Sequence, residues 1–241
     1  MKHLKAHFFL LIFLTASTRA EEKPSFDPVK KNIEGWTVFV EPALLEAAPD
    51  SVDARALAML EAHLRFLSAM LPAERLKDLR TLGIWIEHEH PVLKNMQYHP
   101  SLEWLRGNGH DPRLAKMVHI PVARELVSPS QLAKHPMVVL HELSHAYHDQ
   151  FLGFDDARII ASYEKAKAAG SYEKSLLFNG NTVRHYGMTD HKEYFAEGTE
   201  AFFNRNDFYP FVRAELKQHD PTLYDLLLEI WGDPSKPASK D

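Results

Sequence analysis

The chain has 241 residues, 45% hydrophobic and 25% charged, with 33 acidic against 28 basic side chains and a formal charge of −5 at neutral pH. Apolar content of this order supports a packed globular core, and the acidic balance disfavours nucleic acid or an anionic membrane as the main partner. Cysteine is absent, so the fold must be held by its core, and by any metal it binds, without disulfides.

In chain order, Met1 to Ala20 carries Lys2 and Lys5, then an apolar run from Phe8 to Leu14, then Thr18-Arg19-Ala20 with small residues at −3 and −1. This pattern predicts a cleaved secretory signal, too short to span a membrane, and hence a soluble secreted or periplasmic protein. Removal of Lys2, Lys5 and Arg19 takes the charge from −5 to −8. No later stretch has the length of a membrane span and no cysteine offers lipid attachment, so no membrane anchor is expected. Residues 21–35, rich in Glu, Lys and Pro, are expected to be a flexible lead-in, as are residues 234–241 as a tail.

Between them, residues 36–233 are expected to form a single domain, since no repeat or shift of composition divides them. Trp36 to Val40 and Leu82 to Ile86 are predicted strands, and Ser51 to Leu71 carries helical apolar spacing at Leu57, Leu60, Leu64 and Leu67. A third strand is predicted over Met117 to Ala123, where Pro121 argues for an edge position because proline cannot donate to a neighbouring ladder. An extended peptide can add to such an edge as one more strand. Beyond residue 150 the chain turns helical, over Asp156 to Ala169, His191 to Asn204, Pro210 to Lys217 and Pro221 to Trp231. The fold class is therefore α+β, a small strand-bearing N-terminal part followed by a helical C-terminal part. Trp85, Trp104 and Trp231 are expected in the core.

At the junction lies His141-Glu142-Leu143-Ser144-His145. On a helix, residues four apart share a face, so two imidazoles can converge on one cation while the intervening carboxylate reaches the water beside it. Val138, Val139, Leu140 and Leu143 make this helix apolar, and Pro136 suits its first turn. Histidines and a glutamate in such a helix are costly unless a cation compensates them. Two imidazoles and a carboxylate suit Zn2+. His148 is excluded as third ligand, because two turns span about 10 Å. The stripe Glu193, Glu197 and Glu200, set among Tyr194, Phe195, Phe202 and Phe203, supplies better candidates: one acid as ligand and another accepting the free N–H of a ligating imidazole.

These residues, together with Tyr186-Gly187-Met188-Thr189 and Glu193-Tyr194-Phe195-Ala196-Glu197, resemble the catalytic domain of the anthrax-lethal-factor type of gluzincin zinc metallopeptidases over roughly residues 136–203. The resemblance implies a zincin-like fold, with a small mixed sheet and a peptide-accepting edge strand packed on the metal helix. It implicates Glu193 as third zinc ligand, Glu197 as its supporting acid and Tyr186 as the tyrosine facing the reaction centre. The large substrate-recruiting regions of the toxin have no counterpart, so its targets are not implied.

The mechanism this suggests has His141, His145 and Glu193 holding zinc, Glu142 acting as general base, and Tyr186, with His185 next in line, donating to the developing oxyanion. Tyr98 and His99 are candidates for the wall of the substrate cleft. The expected partner is a peptide or protein substrate, and the protein is expected to be a monomer. Two alternatives stay open on the sequence: an inactive exported protein whose zinc staples the fold, and a zinc hydrolase of a non-peptide amide such as a cell-wall crosslink.

Overall fold

The structure, a computed structural model, describes residues 26–235. The expected signal and the first part of the expected lead-in lie outside the described residues, as does the tail from residue 236. The elements in order are β1 (Val29–Ile33), β2 (Trp36–Val40), α1 (Pro42–Leu45), α2 (Val52–Met70), α3 (Ala73–Leu79), β3 (Gly83–Ile86), β4 (Gln97–Tyr98), α4 (Leu102–Gly107), β5 (Met117–Ile120), α5 (Pro129–Lys134), α6 (Val138–Tyr147), α7 (Ala157–Ala169), β6 (Ser175–Leu176), β7 (Thr182–Val183), α8 (His191–Phe203), α9 (Arg213–His219) and α10 (Pro221–Trp231). This is a mixed α and β architecture: one small mixed sheet in the first half, mostly helix in the second.

The main sheet has the order β1-β2-β3-β5-β4. β2, β3 and β5 run parallel, while β1 and β4 are antiparallel to their neighbours. Alternation along β2 turns Trp36, Val38 and Val40 into the core, as period-2 patterning requires. Ile84, Trp85 and Ile86 of β3 are all buried, as in a strand covered on both faces. α2 starts after Ser51, whose hydroxyl accepts from the Ala54 N–H at 3.1 Å, and buries Ala56, Leu60, Leu64 and Leu67.

Three expectations need correction. The lead-in is partly ordered: Val29–Ile33 pairs along its length with Trp36–Val40 through the turn at Glu34-Gly35. A strand exposed at four of its five positions carries little apolar signal, and its ladder with β2, with Ile33 packed on the core, makes it a strand. The edge is β4, not the strand containing Met117: that strand ends at Ile120, before Pro121, and Val118 and His119 pair with Tyr98 and Gln97. Proline thus terminates β5 instead of marking it as an edge. Trp104 is 47% exposed and stacks against His99 and His110, whereas Trp85 and Trp231 are buried. Lying on a two-turn surface helix, it has no layer above it.

α6 is buried on nearly every face, with Val138, Val139, Leu140, Leu143, Ala146 and Tyr147 in the core. It packs on β4 and β5 on one side and on α8 on the other. α8 is clamped from behind by α10. Gly198 permits this approach, because a Cβ there would stand 2.6 Å from Leu223 Cδ2, and that closeness outweighs the roughly 1 kcal/mol a helical glycine costs. Trp231 locks the arrangement, stacking on Phe195 and donating its indole N–H to Thr199 Oγ1 at 3.0 Å. The acidic stripe of α8 is thereby held against the histidines of α6.

Candidate metal centre

His141 and His145 lie one turn apart on α6, and Glu193 lies in the first turn of α8, whose start is fixed by Asp190 accepting from the Lys192 and Glu193 N–H groups. Their ligand atoms form a nearly equilateral triangle. His141 Nε2 is 3.1 Å from Glu193 Oε2 and 3.1 Å from His145 Nε2, and the third side is 3.3 Å. A tetrahedral ion with bonds of about 2.0–2.1 Å separates its ligands by about 3.3 Å. The donor set, two imidazole nitrogens and one carboxylate, and its dimensions therefore fit a zinc-sized cation, and the three residues form one of the two groups of His and Glu among the described residues that could hold a metal ion.

Glu142 is buried and turned toward the same cleft, with Oε2 accepting the Tyr98 backbone N–H at 2.8 Å. Burial raises its pKa above the ordinary carboxylate value against the pull of His141 and His145. Burial also tends to raise Glu193, but the hydrogen bonds from His141 and His145 outweigh it and hold that carboxyl well below its usual range. Tyr186 sits on a single helical turn, Tyr186–Met188, capped by the His185 imidazole accepting from the Gly187 N–H at 2.9 Å. Its hydroxyl lies 3.5 Å from Glu193 Oε1, on the wall of the cleft. Burial and the charge of Glu193 raise its pKa, keeping the hydroxyl protonated and able to donate.

The supporting acid differs from expectation. Glu200 Oε1, not Glu197, accepts the His141 Nδ1–H at 2.7 Å; Glu197 stands 3.9 Å away. Residue 200 is seven positions beyond Glu193, two turns along the same face, so it meets the rear nitrogen of the ring whose front nitrogen Glu193 meets. Glu200 also bonds His135 Nε2 at 2.8 Å. Burial opposes its ionisation, yet these two imidazoles bring its pKa down to about 2. Burial and the neighbouring Glu200 push Glu197 well up. The stripe on α8 already contained Glu200, but nothing in the order of residues singled out His135, which reaches the site from the segment between α5 and α6.

Two expected cleft residues lie elsewhere. His185 is buried against Tyr172 and Phe208, and burial lowers its pKa to about 3, so it is a packing and capping residue. His99 is buried behind β4, with Nε2 3.1 Å from His119 Nδ1. Tyr98 does line the cleft, but its hydroxyl is directed away, donating to Asp149 Oδ2 at 2.6 Å. Its backbone, through Glu142, is what meets the centre. His148, one turn beyond His145, is enclosed by Phe154, His191 and Phe195 and takes no part.

The cleft over this centre has a volume of about 770 Å³. β4 forms one side, the segment from Val122 to Val138 another, and α8 with the turn at Tyr186 the third. Compared with protein-family models, curated proteins and solved structures, the chain matches none. Among the described residues no helix is long and apolar enough to cross a membrane.

Proposed function

We propose that this chain is a zinc-dependent peptidase of gluzincin type, exported by the apolar leader read in its sequence. The observation that carries the reading is the ligand triangle of His141, His145 and Glu193, with sides of 3.1 to 3.3 Å, on the floor of a cleft that also receives Glu142 and Tyr186. A staple for the fold needs only the triangle, and would leave a buried carboxylate and a tyrosine hydroxyl facing the cleft without a task.

Zinc bound there would supply a Lewis acid and lower the pKa of coordinated water toward about 7. The work of the chain's own residues follows from their positions. β4 is the edge of the sheet beside the cleft, so an extended peptide can lie along it, with the Tyr98 N–H already engaged by Glu142, and lay its carbonyl over the centre. Glu142, its carboxylate oriented by the Tyr98 N–H, takes the proton of the attacking water on a carboxylate oxygen and delivers it to the leaving amine. Its raised pKa brings it closer to the working pH. The Tyr186 hydroxyl donates to the oxygen that gains charge. Glu200 fixes the His141 ring with Nδ1 protonated, leaving Nε2 free as a donor atom.

The test is metal content and cleavage of an unbiased peptide library by the wild-type protein and Glu142→Gln. One zinc per chain in both, with the variant at least about 10²-fold slower, is the expected result. Zinc without cleavage by either would refute the peptidase reading.

A further inference from the structure

We propose that Asp149, with Lys116 and Gln150, is a positioning residue for Glu142: it anchors the Tyr98 side chain so that the Tyr98 N–H stays on the Glu142 carboxylate. This rests on the peptidase reading for the task of Glu142 and adds what holds that carboxylate in place. Glu142 and Asp149 stand seven residues apart on one continuous helical run, α6 and the wide turn that extends it over His148–Leu152. Tyr98 bridges them. Its backbone N–H donates to Glu142 Oε2 at 2.8 Å, and its hydroxyl donates to Asp149 Oδ2 at 2.6 Å.

β4 is two residues long, paired at Gln97–His119 and Tyr98–Val118, and the chain before it, residues 87–96, forms neither helix nor strand. So short a ladder leaves much of the strand's position to its side chains. The anchor is itself braced. Asp149 Oδ2 also accepts from Lys116 Nζ at 2.5 Å, and the Gln150 amide donates to the Tyr98 hydroxyl oxygen at 3.1 Å and to the Lys116 carbonyl at 3.2 Å. Tyr98 is buried, so a hydroxyl bond broken there is costly.

The backbone of Lys116 shows that this arrangement is imposed. Its φ of 62° is left-handed, a conformation that a residue other than glycine keeps only where its surroundings hold it. Here its N–H donates to the carbonyl of His99, next to Tyr98, at 2.7 Å, while its amine reaches Asp149. The consequence for Glu142 is orientation. Oε2 is held by an N–H whose own residue is tied down through its side chain, which limits rotation of the carboxylate and leaves Oε1 for the proton. A displacement of an ångström at such a group costs rates on the order of 10²-fold.

The experiment reads the clamp first without turnover and then with it. In protein isotope-labelled at its tyrosine nitrogens, with equimolar zinc added, the Tyr98 amide signal is the one missing from Tyr98→Phe. Its exchange with deuterated water should speed up at least about tenfold in Asp149→Ala and in Glu142→Ala, while the amides of Tyr147 on α6 and Tyr194 on α8 keep their wild-type rates. With a peptide that the wild type cleaves, Asp149→Ala and Tyr98→Phe should each lower kcat about tenfold and move KM less. Neither should slow Glu142→Gln further in single turnovers, because the carboxylate they position is gone. An unchanged Tyr98 exchange rate in Asp149→Ala overturns the proposal, as does equal acceleration of all three amides, which would mark a general loosening. A change confined to KM, or an equal slowing of Glu142→Gln, also overturns it and gives the anchor to the peptide instead of the base. Wild-type protein that cleaves nothing but shows the expected exchange would keep the clamp and remove only the peptidase reading.

Discussion

Two clusters of histidine and glutamate, one half-buried in the cleft and one sealed in the core, are built differently. In the first, His141 Nε2, His145 Nε2 and Glu193 Oε2 face one another at 3.1 to 3.3 Å and converge on a point. In the second the groups are joined in series: Trp85 Nε1 donates to Glu87 Oε1 at 2.9 Å, His119 Nε2 to the same oxygen at 3.0 Å, and His99 Nε2 meets His119 Nδ1 at 3.1 Å. A series is satisfied by protons already on the rings. A triangle of ligand atoms facing one another is an arrangement that could hold a cation at its centre. Both use histidine and glutamate, so it is convergence, together with the opening of the first onto the cleft, that separates a group able to hold a metal ion from a hydrogen-bonded core.

The sharpest test removes one member of each cluster. Glu193→Ala should abolish stoichiometric zinc and all cleavage, whereas His119→Gln should keep one zinc per chain by elemental analysis; loss of zinc from His119→Gln would erase the distinction. Tyr186→Phe should lower kcat about 10²-fold with zinc content unchanged, and a kcat equal to wild type would remove the hydroxyl from the reaction. Glu200→Gln should weaken zinc binding about 10- to 100-fold in a chelator competition, since it supports His141 from behind. Glu197→Gln should weaken it less, and the reverse order would restore Glu197 as the supporting acid.

The smallest effect belongs to the series cluster and appears as a pH dependence of stability. Burial, reinforced by the neighbouring imidazoles, lowers the pKa of His99 and of His119 to about 3, against 6.5 when exposed. The unfolded chain therefore binds more protons than the folded one between those values, and stability must fall as pH drops from 6.5 toward 3. Between pH 7 and 6 the loss is about 0.7 kcal/mol for each ring. It should be measured by denaturant unfolding in Glu193→Ala, where metal release cannot contribute. Stability flat from pH 7 to 4 would show that these rings are not held neutral.

Much of this protein is legible in its sequence because the carrying signals are local. A four-residue spacing of imidazoles around a glutamate needs nothing but helical periodicity to become convergent, and Ser51, Asp156 and Asp190 sit as N-caps where the helical patterns begin. Glu193, on the first turn of α8, lies with its carboxylate beside the two histidines. What tertiary structure alone decided is set by partners distant in the chain. β1 has little apolar pattern and exists through its ladder with β2. The edge position passed to β4, two residues long, because pairing and not proline placement determines which strand is last. The choice of Glu200 over Glu197 behind His141 was made by the packing of α8 on α6, with Gly198 and Trp231 holding α8 close to α10. The gathering of Asp207 and His135 beside those acids brought together segments some seventy residues apart, which periodicity cannot report because it describes one element at a time.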